Sequence, residues 1–119
     1  MSKITIYQKP TCTTCRKVHA ALVDSGVDFD KVDYYVDPIP KSKLKELLAK
    51  MSMPATELLR TKDAIYNEIK PSINEKTEDE IIEIMIKHPD LIQRPIVEKG
   101  DRAILARPAE RILEFLSAP

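Results

Sequence analysis

Residues Lys3 to Gly26 read "KITIYQKPTCTTCRKVHAALVDSG", and a change of period inside this stretch decides the fold. Lys3 to Tyr7 alternate β-branched and polar side chains, the period of two that a strand requires. Pro10, which has no N–H for a ladder, breaks the strand. From about Thr13 the spacing becomes helical, with Cys15, Val18, Ala21, Leu22 and Ser25 near one face and Gly26 placed to cap the C-terminal end. The only two cysteines in the chain, Cys12 and Cys15, stand where the strand gives way to the helix.

Working outward, "VDFDKVDYY" (27–35) alternates again and predicts a second strand. "DPIP" (37–40) is a loop in which Pro40 stands where a helix begins. In "KSKLKELLAKM" (41–51) Leu44, Leu47, Leu48 and Met51 fall at i, i+3, i+4 and i+7, an amphipathic helix. "PATELLR" (54–60) predicts a helix from Pro54, and "AIYNEI" (64–69) a short helical piece. Thr77 followed by Glu80 fits a capping box, behind which Ile81, Ile82, Met85 and Ile86 supply an apolar face. "RPIVE" (94–98) and "RAILA" (102–106) are short strands joined through "KGD", whose glycine suits a hairpin turn. Pro108 opens a last helix with Ile112, Leu113 and Leu116 inward. The order β-α-β, a block of helices, then β-β-α predicts an α/β fold: a thioredoxin-like mixed sheet with an inserted helical subdomain. One domain is expected over residues 1–119, with the insertion at about 41–89.

A chain of 119 residues suits one domain and can bury about two-thirds of its unfolded surface without help from a metal or disulfide. With 43% hydrophobic and 32% charged residues it has the mixture of a soluble globular protein. Its 19 basic and 19 acidic residues cancel, which removes net charge as a reason for non-specific nucleic-acid or membrane binding. No apolar run approaches the roughly 18–20 residues of a membrane span, and the N-terminus lacks the apolar block of a secretory signal. A cytoplasmic monomer is expected, with no membrane or direct nucleic-acid partner. In a reducing cytosol a C-x-x-C is catalytic, redox-sensing or metal-binding in preference to a structural staple.

Three readings of the pair follow. As a redox pair, Cys12 sits at a helix N-terminus, where unpaired N–H groups, the helix dipole and nearby Arg16 and Lys17 all favour a thiolate. Cys15, one turn on, shares its face and lies within disulfide reach. As a metal site, Cys12, Cys15 and His19 offer three ligands at i, i+3 and i+7, one short of a structural zinc set, with His88 the only other histidine. As core residues, both are small buried hydrophobes. The strand–Pro–Cys–helix placement favours the first reading, with no metal.

Arginine binds tetrahedral oxyanions through its planar fork of donors. Arg94 opens one strand of the hairpin and Arg107 closes the other, so antiparallel pairing puts both at one end of the sheet. Arg60 ends the "ELLR" turn in the helical block. Convergence of the three on Cys12 would make an anion site; each taken alone reads as a solvated surface charge.

The segments "ITIYQKPTCTTCRK", "ATELLR", "HPDLIQRPIV" and "LARPAE", in this order and spacing over nearly the whole chain, resemble the glutaredoxin-coupled arsenate reductases. That resemblance implies a thioredoxin-like fold with a helical insertion. It implies Cys12 as nucleophile, Arg60, Arg94 and Arg107 as oxyanion ligands, and Pro95 as the cis-proline beside the cysteine. Gln8 and Lys9 stand where those reductases carry His and Asn, and Cys15 stands where they usually have serine. A C-x-x-C in this loop is similar instead to the related Spx-type regulators, which bind RNA polymerase and sense oxidation.

The leading expectation is thiol-dependent reduction of arsenate without a bound cofactor. Glutathione with glutaredoxin, or thioredoxin acting through Cys15, would be the external reductant. The alternatives are a general thiol-disulfide oxidoreductase and an Spx-like redox-sensing regulator of RNA polymerase.

Overall fold

The structure, a computed structural model, describes residues 4–9 and 11–117. Lys3, the expected strand start, and Pro10, the expected strand breaker, lie outside the described residues. The chain divides into two compact units, Met1–Asp37 with Arg94–Pro119, and Pro38–Gln93.

The first unit holds a four-stranded sheet. Strands β1 (Ile4–Gln8), β2 (Phe29–Asp33), β3 (Ile96–Lys99) and β4 (Arg102–Leu105) are ordered β2-β1-β3-β4. β1 runs parallel to β2 and antiparallel to β3, and β3 and β4 form an antiparallel hairpin. Parallel neighbours need a crossover, and helix α1 (Thr13–Asp24) supplies it. α1 ends where Gly26 takes φ +74°, and the hairpin turns at Gly100 with φ +62°; both are left-handed positions that favour glycine. The mixed sheet is the one that the element order predicts.

Strand alternation then sorts the side chains. Ile6 pairs with Val97 across β1 and β3. With Ile4 these residues pack against Val18 and Leu22 of α1, Ala106, and Ile112 and Phe115 of helix α6 (Arg111–Ser117). Burying one such aliphatic side chain contributes about 1.5–3 kcal/mol. Tyr7, Ile96 and Glu98 alternate with this set and are also buried, and the Tyr7 hydroxyl donates to Glu98 Oε1 at 2.9 Å. One expectation fails in α6. Leu113, read as inward, is 60% exposed, and Phe115 takes the inward place beside Ile112. Successive helical residues turn by about 100°, so a face carrying Ile112, Phe115 and Leu116 leaves Leu113 outside.

The second unit is helical: α2 (Lys41–Met51), α3 (Ala55–Leu58), α4 (Ala64–Ile69) and α5 (Glu78–Lys87), with 3-10 turns at Lys70–Glu75 and Pro89–Leu91. Leu44, Leu47 and Leu48 of α2 and Ile81, Ile82 and Met85 of α5 are buried, and α5 packs on α2 and α3. The predicted capping box is formed: Glu80 N–H donates to Thr77 Oγ1 at 3.2 Å and Thr77 N–H to Glu80 Oε1 at 2.9 Å. Among the described residues no helix is long and apolar enough to cross a membrane.

Candidate active site

The cysteine loop follows directly from the join of β1 and α1. Cys12 N–H donates to the Lys9 carbonyl at 3.0 Å, and the Cys12 carbonyl accepts the N–H of Arg16 at 3.0 Å, opening the helix. This makes Cys12 the N-cap, with φ −80° and ψ 126°, and its Sγ accepts the N–H of Cys15 at 3.4 Å. A helix N-cap wants an acceptor, because the first N–H groups have no partner within the helix. A thiolate is such an acceptor and carries the charge that the dipole favours.

Partial burial opposes ionisation of Cys12. The Cys15 N–H, the Cys15 thiol and the Arg94 guanidinium outweigh it and hold the Cys12 pKa below the ordinary thiol value. The cation acting on Cys12 is thus Arg94, while Arg16 and Lys17, the expected helpers, are exposed on α1. Cys15 goes the other way. It is 1% exposed, and burial, together with the Cys12 sulfur facing it, pushes its pKa up to about 12 against the pull of the Lys9 backbone and Arg94. The two thiols are therefore split, Cys12 toward the thiolate and Cys15 toward the neutral thiol.

Arg94 is buried and precedes a cis bond to Pro95; the Arg107–Pro108 bond is also cis. Its Nη1 lies 3.5 Å from the Tyr35 hydroxyl, and it makes a side-chain hydrogen bond with Tyr34. Arg107 is exposed, and its Nη1 donates to the Arg94 carbonyl at 3.0 Å, so the hairpin brings these two arginines together. Burial works against the Arg94 charge, but Tyr34, Tyr35 and Cys12 hold its pKa above the ordinary guanidinium value. Two atoms nearby remain unsatisfied: Gln8 Oε1 and Arg94 Nε are buried without a hydrogen-bond partner.

Arg60 belongs to the second unit, where its N–H donates to the Leu91 carbonyl at 2.7 Å beside the Leu59–Ile92 bridge. His19 stands edge-on to Phe29, with ring centroids 5.3 Å apart. Gln8 and Cys15 line a cleft with Arg16, His19 and Lys31. Among the described residues no group of three or more His, Cys, Asp or Glu is placed to hold a metal ion.

Tyr34 and Tyr35 were read from the sequence only as the end of the second strand, and the structure puts them on Arg94. A signal was available. They follow the C-terminal end of a parallel strand, the edge at which α/β sheets build sites.

The ArsC family model matches residues 7–115. The arsenate reductase of Escherichia coli K12 is 36% identical over 116 residues, covering 98% of this chain and 82% of that protein. The solved structure of an arsenate reductase from Vibrio cholerae superposes with a TM-score of 0.88 at 28% identity, covering 95% of this chain and 97% of that one. The global transcriptional regulator Spx of Streptococcus pyogenes serotype M3 is 26% identical over 114 residues, covering 96% of this chain and 85% of that protein. These likenesses agree with the α/β, thioredoxin-like fold.

Proposed function

The chain belongs to the ArsC family, and on that premise we propose that it is a thiol-dependent oxidoreductase that reduces arsenate through Cys12. The observation that carries this reading is the Cys12 sulfur at the N-cap of α1, accepting the Cys15 N–H with the Arg94 guanidinium beside it. Arg94 and Arg107 bind the oxyanion from the hairpin, and Arg60 is assigned a share from its "ELLR" motif. The helix N-terminus adds backbone donors for the anion.

In the first step the Cys12 thiolate attacks arsenic, an S–As bond forms, and an oxygen leaves as water after taking up a proton. The arginines stabilise the negative charge on the remaining oxygens. A second thiol then attacks the Cys12 sulfur. The S–As electron pair passes to arsenic, which leaves as arsenite, and the two thiols end as a disulfide. If that thiol is external, glutathione with glutaredoxin completes the cycle. If it is Cys15, a Cys12–Cys15 disulfide forms for thioredoxin to reduce. Bonding Cys12 to arsenic removes the thiolate that helps keep Cys15 protonated, so the internal thiol ionises more readily at the moment it is needed.

The test is arsenate-dependent NADPH oxidation, run with glutathione plus glutaredoxin and separately with thioredoxin plus its reductase. Cys12→Ser abolishes turnover in both. Cys15→Ser abolishes only the thioredoxin-coupled rate; full retention there eliminates the internal route. Wild-type protein inactive in both systems overturns the arsenate reading.

The C-x-x-C and the Spx relative favour a second reading, a redox-sensing regulator that binds RNA polymerase. It requires polymerase to retain one redox form of the protein and not the other. Reduction of a mixed-disulfide substrate with no oxyanion present would instead mark a general thiol-disulfide oxidoreductase.

A further inference from the structure

A buried arginine ordinarily needs partners for its donors and compensation for its charge, and a carboxylate supplies both. Arg94 is arranged differently. The groups acting on its charge are Tyr34, Tyr35 and the Cys12 thiol, none of them a carboxylate. The Tyr35 hydroxyl is 3.5 Å from Nη1, and Tyr34, 1% exposed, shares a hydrogen bond with the same guanidinium.

The tyrosines are themselves fixed. They begin the turn that closes β2, where Tyr35 N–H donates to Asp33 Oδ1 at 3.3 Å and the N–H groups of Val36 and Asp37 donate to the Asp33 carbonyl at 3.0 and 2.8 Å. Their rings stack at a tilt, 5.2 Å between centroids. The Lys9 ammonium sits 4.7 Å above the Tyr35 ring, tying this turn to the cysteine loop from the other side.

We infer that Tyr34 and Tyr35 are positioning residues for Arg94: their two phenol oxygens hold the guanidinium toward Cys12 while leaving its positive charge uncancelled. A carboxylate in their place would fix the arginine equally well and cancel the charge that Cys12 uses. Tyr34 stays neutral in this role, since burial pushes its own ionisation well above the ordinary phenol range.

The inference rests on the reading of Cys12 as nucleophile, and its test reads that thiol directly, without arsenate or a reductant. The pH dependence of Cys12 alkylation by iodoacetamide, located by mass spectrometry, gives the midpoint of thiolate formation. The groups acting on Cys12 are Cys15 from α1 and Arg94 from the start of the hairpin, with Lys9, Tyr34 and Tyr35 reaching it through Arg94 or the loop; Arg107 donates to the Arg94 carbonyl. Tyr34→Phe and Tyr35→Phe each raise the midpoint, by about half a unit for Tyr34→Phe, so that alkylation on the acid side slows about three-fold. Arg94→Ala raises it further, and adding Tyr34→Phe or Tyr35→Phe to Arg94→Ala moves it no more, which a general loosening of the fold would not reproduce.

An unchanged midpoint in both folded phenylalanine variants overturns the inference. So does an equal shift with and without Arg94. Should Tyr34→Phe fail to fold, the half-buried Tyr35→Phe decides alone by the same comparison. A wild-type Cys12 that alkylates no faster than a free thiol at neutral pH would sink the nucleophile reading itself, a distinguishable failure.

Discussion

Cys12 and Cys15 are the same residue type three positions apart, and their surroundings set them to opposite tasks. The Cys12 pKa is lowered from 9.0, so its thiolate is present at pH values where a free thiol is mostly protonated. Its alkylation rate therefore rises with pH through a midpoint below that of a free thiol. A midpoint at or above the free-thiol value in the wild type contradicts this. Cys15 carries the opposite sign in stability. Its folded pKa of about 12 exceeds the 9.0 of the unfolded chain, so the folded state favours the neutral thiol. That contribution is complete below pH 9.0, the unfolded value, and is lost as pH rises toward about 12. Urea midpoints from pH 9 upward should accordingly fall faster for the wild type than for Cys15→Ser, and parallel curves refute it. Gln8 adds an acceptor with no partner, and Gln8→Met, apolar and of similar length, should leave the fold intact without costing stability.

Among the elements, α1 carries the cysteine pair at its N-terminus and α5 carries its own folding signals. Thr77 and Glu80 close both bonds of the capping box, and Thr77→Ala should cost about 1 kcal/mol of stability, read from chemical denaturation. A loss below a few tenths of a kcal/mol would show that the box is redundant with packing. These elements were legible because each cause is local. The i, i+3, i+4, i+7 spacing of Leu44, Leu47, Leu48 and Met51, the cap at Thr77 and the glycine in "KGD" act within one turn of chain. α6 shows the limit. With Ile112, Leu113, Phe115 and Leu116 nearly contiguous, periodicity allows more than one inward face, and the cluster of Val18, Leu22 and Val97 selects the one with Phe115. β2 ends at Asp33 although "YY" continues the alternation, because the Asp33 side chain and carbonyl turn the chain there.

For the molecule as a whole, stability rests on few side chains. Leu22 is fully buried between sheet and helices, and Leu22→Ala should cost about 2–5 kcal/mol, enough to take up much of the roughly 5–15 kcal/mol of a typical domain. Leu113→Ser at an exposed position should stay within about 0.5 kcal/mol. A differential scanning comparison of the two decides whether α6 faces the way described, since a large loss at Leu113 would reverse the assignment.

From the sequence alone came the β-α-β opening, the helical block, the hairpin, the resemblance to the arsenate reductases and the cysteine pair at a helix N-terminus. All of these depend on residues close together in the chain or on motif order. Arg94 and Arg107 were expected at one end of the sheet; tertiary structure alone decided that Arg94, 82 residues beyond Cys12 by number, and not the neighbouring Arg16 or Lys17, is the cation acting on the thiol, and that Tyr34 and Tyr35 meet its guanidinium. Those pairings arise from parallel and antiparallel strand register, which joins residues far apart in sequence, and a charge at a distance in the chain acts on a thiol only after the sheet has brought them within a few ångströms.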